Sequence, residues 1–328
     1  MKGRILTGHR PTGPRHIGHL KGTLENWTRL QDEYECYFLI ADLHVLTTDT
    51  EHPGRIRDNI LQVLADWLAT GIDPQRAHIV LQSAVPAHSE LALLFGNLVI
   101  VARLERVPTY KEQTQQLKLN PALGLLNYPV LQAADILVYK AGFVPVGEDQ
   151  LAHIELSREI ARRFNQLYGA TFPEPQGLLS HTPRLPGIDN RTMHTSYGNA
   201  IYLGDSPEAT ARKIMNMYTD PTRIHASDPG HVEGNPVFEY MDAFNPDAQE
   251  VDGFKADYRA GKLGDVALKS RLVEVVNGAL EPLRLRRAAY KQRPNELVEI
   301  LHAGTLAARP LAEATLAEAQ DKMGLGWH

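Results

Sequence analysis

Two histidines three residues apart, His16 and His19, stand in the stretch Pro11-Thr12-Gly13-Pro14-Arg15-His16-Ile17-Gly18-His19-Leu20. On a helix that spacing puts both rings on one face, where imidazole N–H groups can donate to oxygens that gain charge during a reaction. A second group is Asp135, a lone carboxylate in the apolar run Tyr128-Pro129-Val130-Leu131-Gln132-Ala133-Ala134-Asp135-Ile136-Leu137-Val138-Tyr139. Burying it is costly unless a donor meets it, so it either faces solvent or awaits a ligand. A third is the acidic pair in Phe143-Val144-Pro145-Val146-Gly147-Glu148-Asp149-Gln150. Glu148 and Asp149 either complement a helix N-terminus or accept hydrogen bonds from ribose hydroxyls.

The histidine pair needs a strand that turns into a helix. Residues 3–7 are strand-like, and Leu20, Leu24, Trp27 and Leu30 then recur at helical steps. At such a turn the first helical N–H groups lack partners and form an anion site, for which phosphate is the natural occupant. Glycines at 8, 13 and 18 let backbone approach a ligand closely. Residues 35–41 predict a second strand ending at Asp42-Leu43-His44, and residues 55–70 an amphipathic helix that stops at Gly71. A third strand follows at 78–82. This alternation marks a doubly wound parallel sheet, with ligands beyond the carboxyl ends of its strands. Residues 90–125, with the polar run 110–116, read as a helical insertion. Pro129 suits a helix start, after which Gln132, Asp135, Ile136 and Tyr139 share one face. A further helix is expected over 151–168.

Composition sets the outer limits. With 328 residues and 43% apolar composition the chain can bury a large core as one big domain or two. A net charge of −5 excludes a general nucleic-acid coat protein, so RNA contact requires local basic patches. The single cysteine, Cys36, excludes intrachain disulfides and any Cys-only metal or cluster site. No apolar run reaches membrane-spanning length and the N-terminus lacks signal-peptide features, so a soluble cytoplasmic protein is expected. Helical periodicity over 207–217, 266–276, 279–291 and 295–323 predicts a smaller helical domain, 206–328, after a first domain, 1–205. Its densest basic patch, residues 284–293, is either a solvated helix face or a phosphate contact.

The strand, the Pro-Thr-Gly turn, His-Ile-Gly-His and the following helix together resemble the first signature of class I aminoacyl-tRNA synthetases. The string 128–137, with Val-Pro-Val-Gly-Glu-Asp-Gln at 144–150 and His-Ile-Glu-Leu at 153–156, is similar to the bacterial tryptophanyl-tRNA synthetase family. The likeness runs from residue 5 to about 245 and returns at Met323-Gly324-Leu325. It implies an α/β fold: a Rossmann-like doubly wound parallel sheet with a helical insertion, plus a smaller C-terminal all-α domain that reads the anticodon and whose last helix packs back on the catalytic domain. It implies three substrates, L-tryptophan, ATP with Mg²⁺ and tRNA(Trp), joined through an adenylate, and a homodimer whose contact and acceptor-arm surface lie in the insertion. Some relatives hold an iron–sulfur cluster in the C-terminal domain, and none is expected here because no cysteine remains there.

The resemblance places ATP on Arg10, Pro11, Thr12, Gly18 and His19, with Gly147, Glu148 and Asp149 at the ribose. It gives the indole N–H to Asp135 and the rest of the amino-acid pocket to Leu6, Gly8, His44, Tyr128, Gln132, Val144, Val146 and Gln150. An acceptor-only carboxylate suits a donor-only indole. A tyrosine substrate is the nearest rival, and Leu6 argues against it, because tyrosyl enzymes carry a tyrosine at the matching position.

A third signature departs from the family. The stretch from Leu185 to Asn199 occupies the place of the mobile loop, usually Lys-Met-Ser-Lys-Ser, but reads Thr192-Met193-His194-Thr195-Ser196. Both lysines that would neutralise departing pyrophosphate are threonines, which donate hydrogen bonds but carry no charge. Either Arg191, His194 or magnesium supplies the charge, or activation has decayed and a tryptophan-binding regulatory protein is left. Intact His16, His19, Asp135 and Gly147–Gln150 favour an enzyme.

Overall fold

The computed structural model describes residues 1–117, 121–179, 185–194, 197–225 and 227–326, apart from the side chains of 112, 113 and 115–117. Five strands, β1 (Arg4–His9), β2 (Glu35–Ile40), β3 (Ala77–Leu81), β4 (Phe143–Val146) and β5 (Gln176–Leu179), form one sheet in the order β3-β2-β1-β4-β5. Every pairing is parallel. β1 aligns Arg4 to His9 with Glu35 to Ile40 on one side and pairs Ile5 with Phe143 on the other. The winding therefore reverses at β1, which opens a crevice at the carboxyl ends of β1 and β4.

In chain order the helices are α1 (Ile17–His19), α2 (Glu25–Leu30), α3 (Ile56–Thr70), α4 (Ala87–Gly96), α5 (Val101–Leu104), α6 (Pro108–Leu117), α7 (Leu123–Val138) and α8 (Leu151–Tyr168). After the sheet come α9 (Pro207–Met215), α10 (Pro236–Phe244), α11 (Ala248–Arg259), α12 (Asp265–Lys291) and α13 (Pro294–Lys322). Successive strand residues divide between two cores. Ile5, Phe38 and Ile40 meet Trp27 and Trp67 on one face, while Leu6, Tyr37 and Leu39 meet Phe95, Ile136 and Phe164 on the other. A parallel sheet covered on both faces needs apolar residues at consecutive positions, and the run Cys36 to Ile40 supplies them.

Several local expectations change. The helix after the histidine motif is broken: α1 has three residues and passes through a π-helical turn, Leu20–Leu24, before α2. α4 overlaps the stretch read as an insertion, yet its Leu91 and Phe95 are fully buried against the core that α7 shares. Residues up to Gly96 therefore belong to the helical layer that covers the sheet. Pro129 lies inside α7 and does not start it. The two helices expected around residue 278 are one, because α12 runs unbroken through Gly278 and Pro282.

The basic patch on α12 is not a solvated face at its centre. Arg287 is buried and its Nε donates to Asp66 of α3. Arg286 Nε donates to the Ala69 carbonyl at 2.6 Å and Arg284 Nη2 to Thr210 Oγ1 at 2.8 Å. These side chains fasten α12 to α3 and α9, and are not spread for phosphates. α13 in turn covers the outer edge of β3: the Leu81 N–H donates to Thr305 Oγ1 at 3.0 Å, so an unpaired strand edge is satisfied by a helix side chain. Gly304 permits the approach, since a Cβ there would lie 2.4 Å from the Ile79 carbonyl oxygen. Gly304→Ala is expected to lower stability by about 1–3 kcal/mol through overpacking. A thermal scan of the variant reads this as a drop of several degrees, and an unchanged midpoint would show that the helix can move away at no cost.

Candidate active site

The turn after β1 is held by its own donors. The Thr12 N–H donates to the Arg10 carbonyl at 2.9 Å, the Arg15 N–H to Asp66 Oδ2 at 2.8 Å and the Ile17 N–H to the Ile201 carbonyl at 3.0 Å. The His16 N–H donates to His19 Nδ1 at 3.2 Å. That bond makes Nδ1 an acceptor, so His19 carries its proton on Nε2, pointing away from the backbone. The expected anion site of orphan helical N–H groups is thereby reduced: α1 is too short to sum a large dipole, and several of its first donors are used. The donors that remain at the turn are on the histidine side chains. Their ring centroids are 3.7 Å apart, and His16 Nδ1 is buried without a protein partner among the described residues. His9, at the end of β1, stacks on Trp27 with centroids 4.5 Å apart and accepts the Trp67 indole N–H at 3.1 Å, which fixes the floor beneath His19.

Asp135 is neither solvent-facing nor waiting for its first donor. It is buried on α7, and three side chains already reach it. Gln82 Nε2 donates at 2.8 Å to Oδ1 and 3.0 Å to Oδ2, His44 Nε2 lies 2.8 Å from Oδ2, and His88 Nδ1 lies 2.7 Å from Oδ1. Tyr139 closes the chain with its hydroxyl 2.9 Å from His88 Nε2. Burial pushes the carboxyl up, but the hydrogen bonds from His44 and His88 outweigh it and hold the group below the ordinary range. Asp135 is thus a fixed anion. These four contacts fall two on each oxygen, so a further donor must share an oxygen with one of them or take its place. Of its partners only His44 was named from sequence. His88 and Gln82 were missed, although His88 gives the same signal as Asp135, a polar residue inside an apolar helix.

The remaining predicted residues gather at the same end of the sheet. Leu6 and Val144 are buried on neighbouring strands, Val146 ends β4, and Gly147, Glu148 and Asp149 are exposed in the turn that follows, with Gln150 half-buried. Gly8 lies so close to β2 that a Cβ would sit 2.2 Å from the Leu39 carbonyl oxygen, so no other residue fits there. Tyr128 and Gln132 are half-buried on α7, one turn apart and on the Asp135 side. The Tyr128 hydroxyl bonds Thr109 and lies 3.4 Å from His153 Nε2, a brace that the sequence did not reveal. Arg10, half-buried, donates to Thr48, and Pro11 is buried beside an exposed Thr12.

The segment after Leu185 folds back onto the histidines. Met193 is buried, and a Cβ added to Gly18 would lie 3.2 Å from its sulfur. Asn199, buried, knits the loop: it accepts the His194 N–H at 3.0 Å and donates to Asp189 Oδ1 at 2.8 Å and the Thr192 carbonyl at 3.1 Å. Arg191 and Thr192 are exposed, and Arg191 pairs with Asp189 at 2.6 Å. Thr195 and Ser196 lie outside the described residues.

Residues 2–281 match the model of the tRNA synthetases class I (W and Y) family. The chain belongs to this class I synthetase family. It is 51% identical to the tryptophan–tRNA ligase of Treponema pallidum over 330 residues, covering 98% of this chain and 97% of that one. Identity to the corresponding ligase of Chlamydia caviae is 48% over 332 residues, with 99% and 96% covered. Among solved structures, the tryptophanyl-tRNA synthetase of Campylobacter jejuni complexed with ADP and tryptophan superposes with a TM-score of 0.88 at 31% identity, covering 98% of this chain and 100% of that chain.

Within this class I synthetase site the histidines are held neutral. Burial, aided by the Arg15 guanidinium and His194, pushes His16 down to about 4. His19 is held well below its ordinary value by burial and by Arg15, His9, His16 and His194. A neutral imidazole keeps one N–H to donate, which suits an oxygen whose charge grows only in the transition state. The same shift has a consequence for stability. The unfolded His16 takes its proton near pH 6.5 and the folded one near 4, so between those values the unfolded chain binds more protons and acidification favours unfolding. Above pH 6.5 the group has no effect. His16→Gln should therefore flatten the loss of stability between pH 6.5 and 4 by up to about 1.4 kcal/mol per pH unit. Denaturant midpoints across that range measure it, and equal slopes for variant and wild type would contradict the burial of the ring.

Proposed function

We propose that this synthetase joins L-tryptophan to tRNA(Trp) through an adenylate. The tryptophan carboxylate attacks the α-phosphorus of MgATP and the bond to pyrophosphate breaks; the terminal ribose hydroxyl of the tRNA then attacks the adenylate's carbonyl carbon, losing its proton, and the acyl–phosphate bond breaks to release AMP. The observation that carries the reading is the fixed Asp135 anion, held by residues that follow the carboxyl ends of β2 and β3, at the same end of the sheet as the turn after β1. Asp135 accepts the indole N–H, with Leu6, Gly8, His44, Tyr128, Gln132, Val144, Val146 and Gln150 around the ring and the amino-acid backbone. ATP lies along Arg10, Pro11, Thr12, Gly18 and His19, with its ribose at Gly147, Glu148 and Asp149. His16 and His19 donate to the α-phosphate, each worth about 3 kcal/mol of barrier. No side chain serves as a covalent nucleophile, so catalysis is positioning and charge stabilisation. Magnesium arrives on the ATP phosphates as part of the substrate.

On this reading the loop that begins at Leu185 serves the pyrophosphate side, with threonines where the usual lysines would be. Thr192, Thr195 and Ser196 offer hydroxyls, and Arg191, His194 and the magnesium ion supply charge. Exposed Leu93, Ile100 and Val101 support a homodimer through the face around α4 and α5. The helical layer α9–α13 takes the anticodon side of the tRNA. Among the described residues no helix is long and apolar enough to cross a membrane, which fits a cytoplasmic enzyme of translation.

Tryptophan-dependent exchange of pyrophosphate into ATP tests the activity, and its absence would favour a regulatory tryptophan-binding protein. In that assay Asp135→Asn should lower activity with tryptophan by about 10²-fold or more, and should shrink the preference for tryptophan over its benzothiophene analogue, which lacks the N–H. Preserved discrimination in a folded variant would move the indole elsewhere. Thr195→Lys is expected to accelerate adenylate formation by restoring a cation at the leaving group; a rate unchanged or lowered in single-turnover measurement would show that the loop is not short of charge.

A further inference from the structure

Asp66, in the middle of α3, is completely buried and is reached by donors from two directions. Its Oδ2 accepts the Arg15 N–H of the nucleotide turn at 2.8 Å, and its Oδ1 accepts from Arg287 Nε on α12. Arg15 reaches back with Nη2 to the Gly13 carbonyl at 2.7 Å, and its own carbonyl accepts the Leu203 N–H at 2.9 Å. Gly204 comes next in the chain, and a Cβ there would stand 2.6 Å from Arg287 Nη1, so the guanidinium lies flat against that backbone. One side chain of the helical layer thus touches both the carboxylate that holds the turn and the segment returning from the altered loop.

We propose that Arg287 is a positioning residue for ATP: it fixes Asp66, Asp66 fixes the Arg15 N–H, and the turn so set aims His16, Gly18 and His19 at the phosphates. The proposal rests on the reading that this turn binds ATP. Charge-assisted bonds of this kind are short and directional, so a carboxylate anchored at one oxygen presents the other in a defined place. Burial pushes the Asp66 carboxyl up while Arg287 and the Arg15 N–H pull it down, so the carboxylate depends on both partners. A lysine at 287 keeps a positive charge but cannot supply both the Nε donor and the planar group that lies against Gly204.

Arg287→Lys and Gly204→Ala make the test, the first removing the planar fork and the second pushing it aside without altering any charge. In pyrophosphate exchange both variants should lose about tenfold to a hundredfold in kcat/KM for ATP, the range expected when a reacting group is slightly misplaced. Their KM for tryptophan should stay within about twofold of wild type. Arg286→Met, which cuts a neighbouring bond of the same helix to the Ala69 carbonyl, is the comparison for general loosening, and its ATP parameters should stay within about twofold. Equal effects of all three variants on both substrates, or no effect of Gly204→Ala on ATP, would overturn the assignment. Equilibrium titration with ATP alone repeats the comparison without turnover: wild-type binding without exchange would sink the ligase reading and leave the relay to be judged by whether Arg287→Lys and Gly204→Ala weaken that binding.

Discussion

Two carboxylates deep in the protein, Asp66 and Asp135, set the constraint on which the site depends. A buried anion persists only if donors surround it, and each of these is surrounded by groups from distant parts of the chain. Asp66 ties the turn after β1 to a helix more than 200 residues later, its partner being 221 positions away. Asp135 ties α7 to the ends of β2 and β3 and to the start of α4. The carboxyl edge of the sheet is therefore a set of fixed points, and loops added between strands can vary without moving the reacting groups. The cost of leaving either carboxylate short of a donor is what makes that geometry sharply defined.

Two groups of the crevice are tuned in opposite senses. At the turn after β1 burial and a guanidinium strip the proton from His16 and His19, leaving neutral donors in place of cations. On α7 His44 and His88 keep Asp135 ionised against the pull of burial. An ionised carboxylate is an acceptor only, so it can reward a donor such as an indole N–H and offers nothing to a purely apolar ring. Tyr139, bonded to His88, extends the network and orients the imidazole that orients the carboxylate. Such a second layer removes rotational freedom before the substrate arrives, so little of the binding energy is spent on ordering the protein.

The strand and helix sequence of the sheet was legible because parallel strands covered on both faces must be continuously apolar, and residues 35–41 leave little choice. Gly71, at φ 108°, was a reliable stop for α3 because a left-handed C-terminal position favours glycine. The π-helical turn after His19 was not legible, since Leu20, Leu24 and Trp27 fit a plain α-helical period equally well. At the site, residue types carried the reading where a group was chemically out of place, as with Asp135. They failed where the partner came from another element: nothing local to His88, Gln82 or Asp66 says which carboxylate or donor it will meet. The basic run at 284–293 misled for the same reason, because charge density alone does not say whether guanidinium groups face water or a buried aspartate.

The loop that lacks lysines poses a problem of charge. Pyrophosphate needs cations, and the site's own are few. The Arg15 guanidinium donates Nη2 to the Gly13 carbonyl while its backbone N–H serves Asp66, and Arg191 is paired with Asp189. Burial lowers the affinity of Arg10 and Arg15 for the proton, but a guanidinium stays charged near neutral pH, and each keeps a buried Nε without a partner among the described residues. On the proposed reading, a guanidinium with a donor unspent beside the turn after β1 would do what an ammonium on a mobile loop does elsewhere in the family. A cation anchored to the sheet edge pays less conformational entropy than one on a flexible lysine stem, but it cannot follow the leaving group as the loop closes. On the proposed reading the threonines need only donate hydrogen bonds to pyrophosphate oxygens, while Arg191, His194 and magnesium share the neutralising charge with an arginine that does not travel.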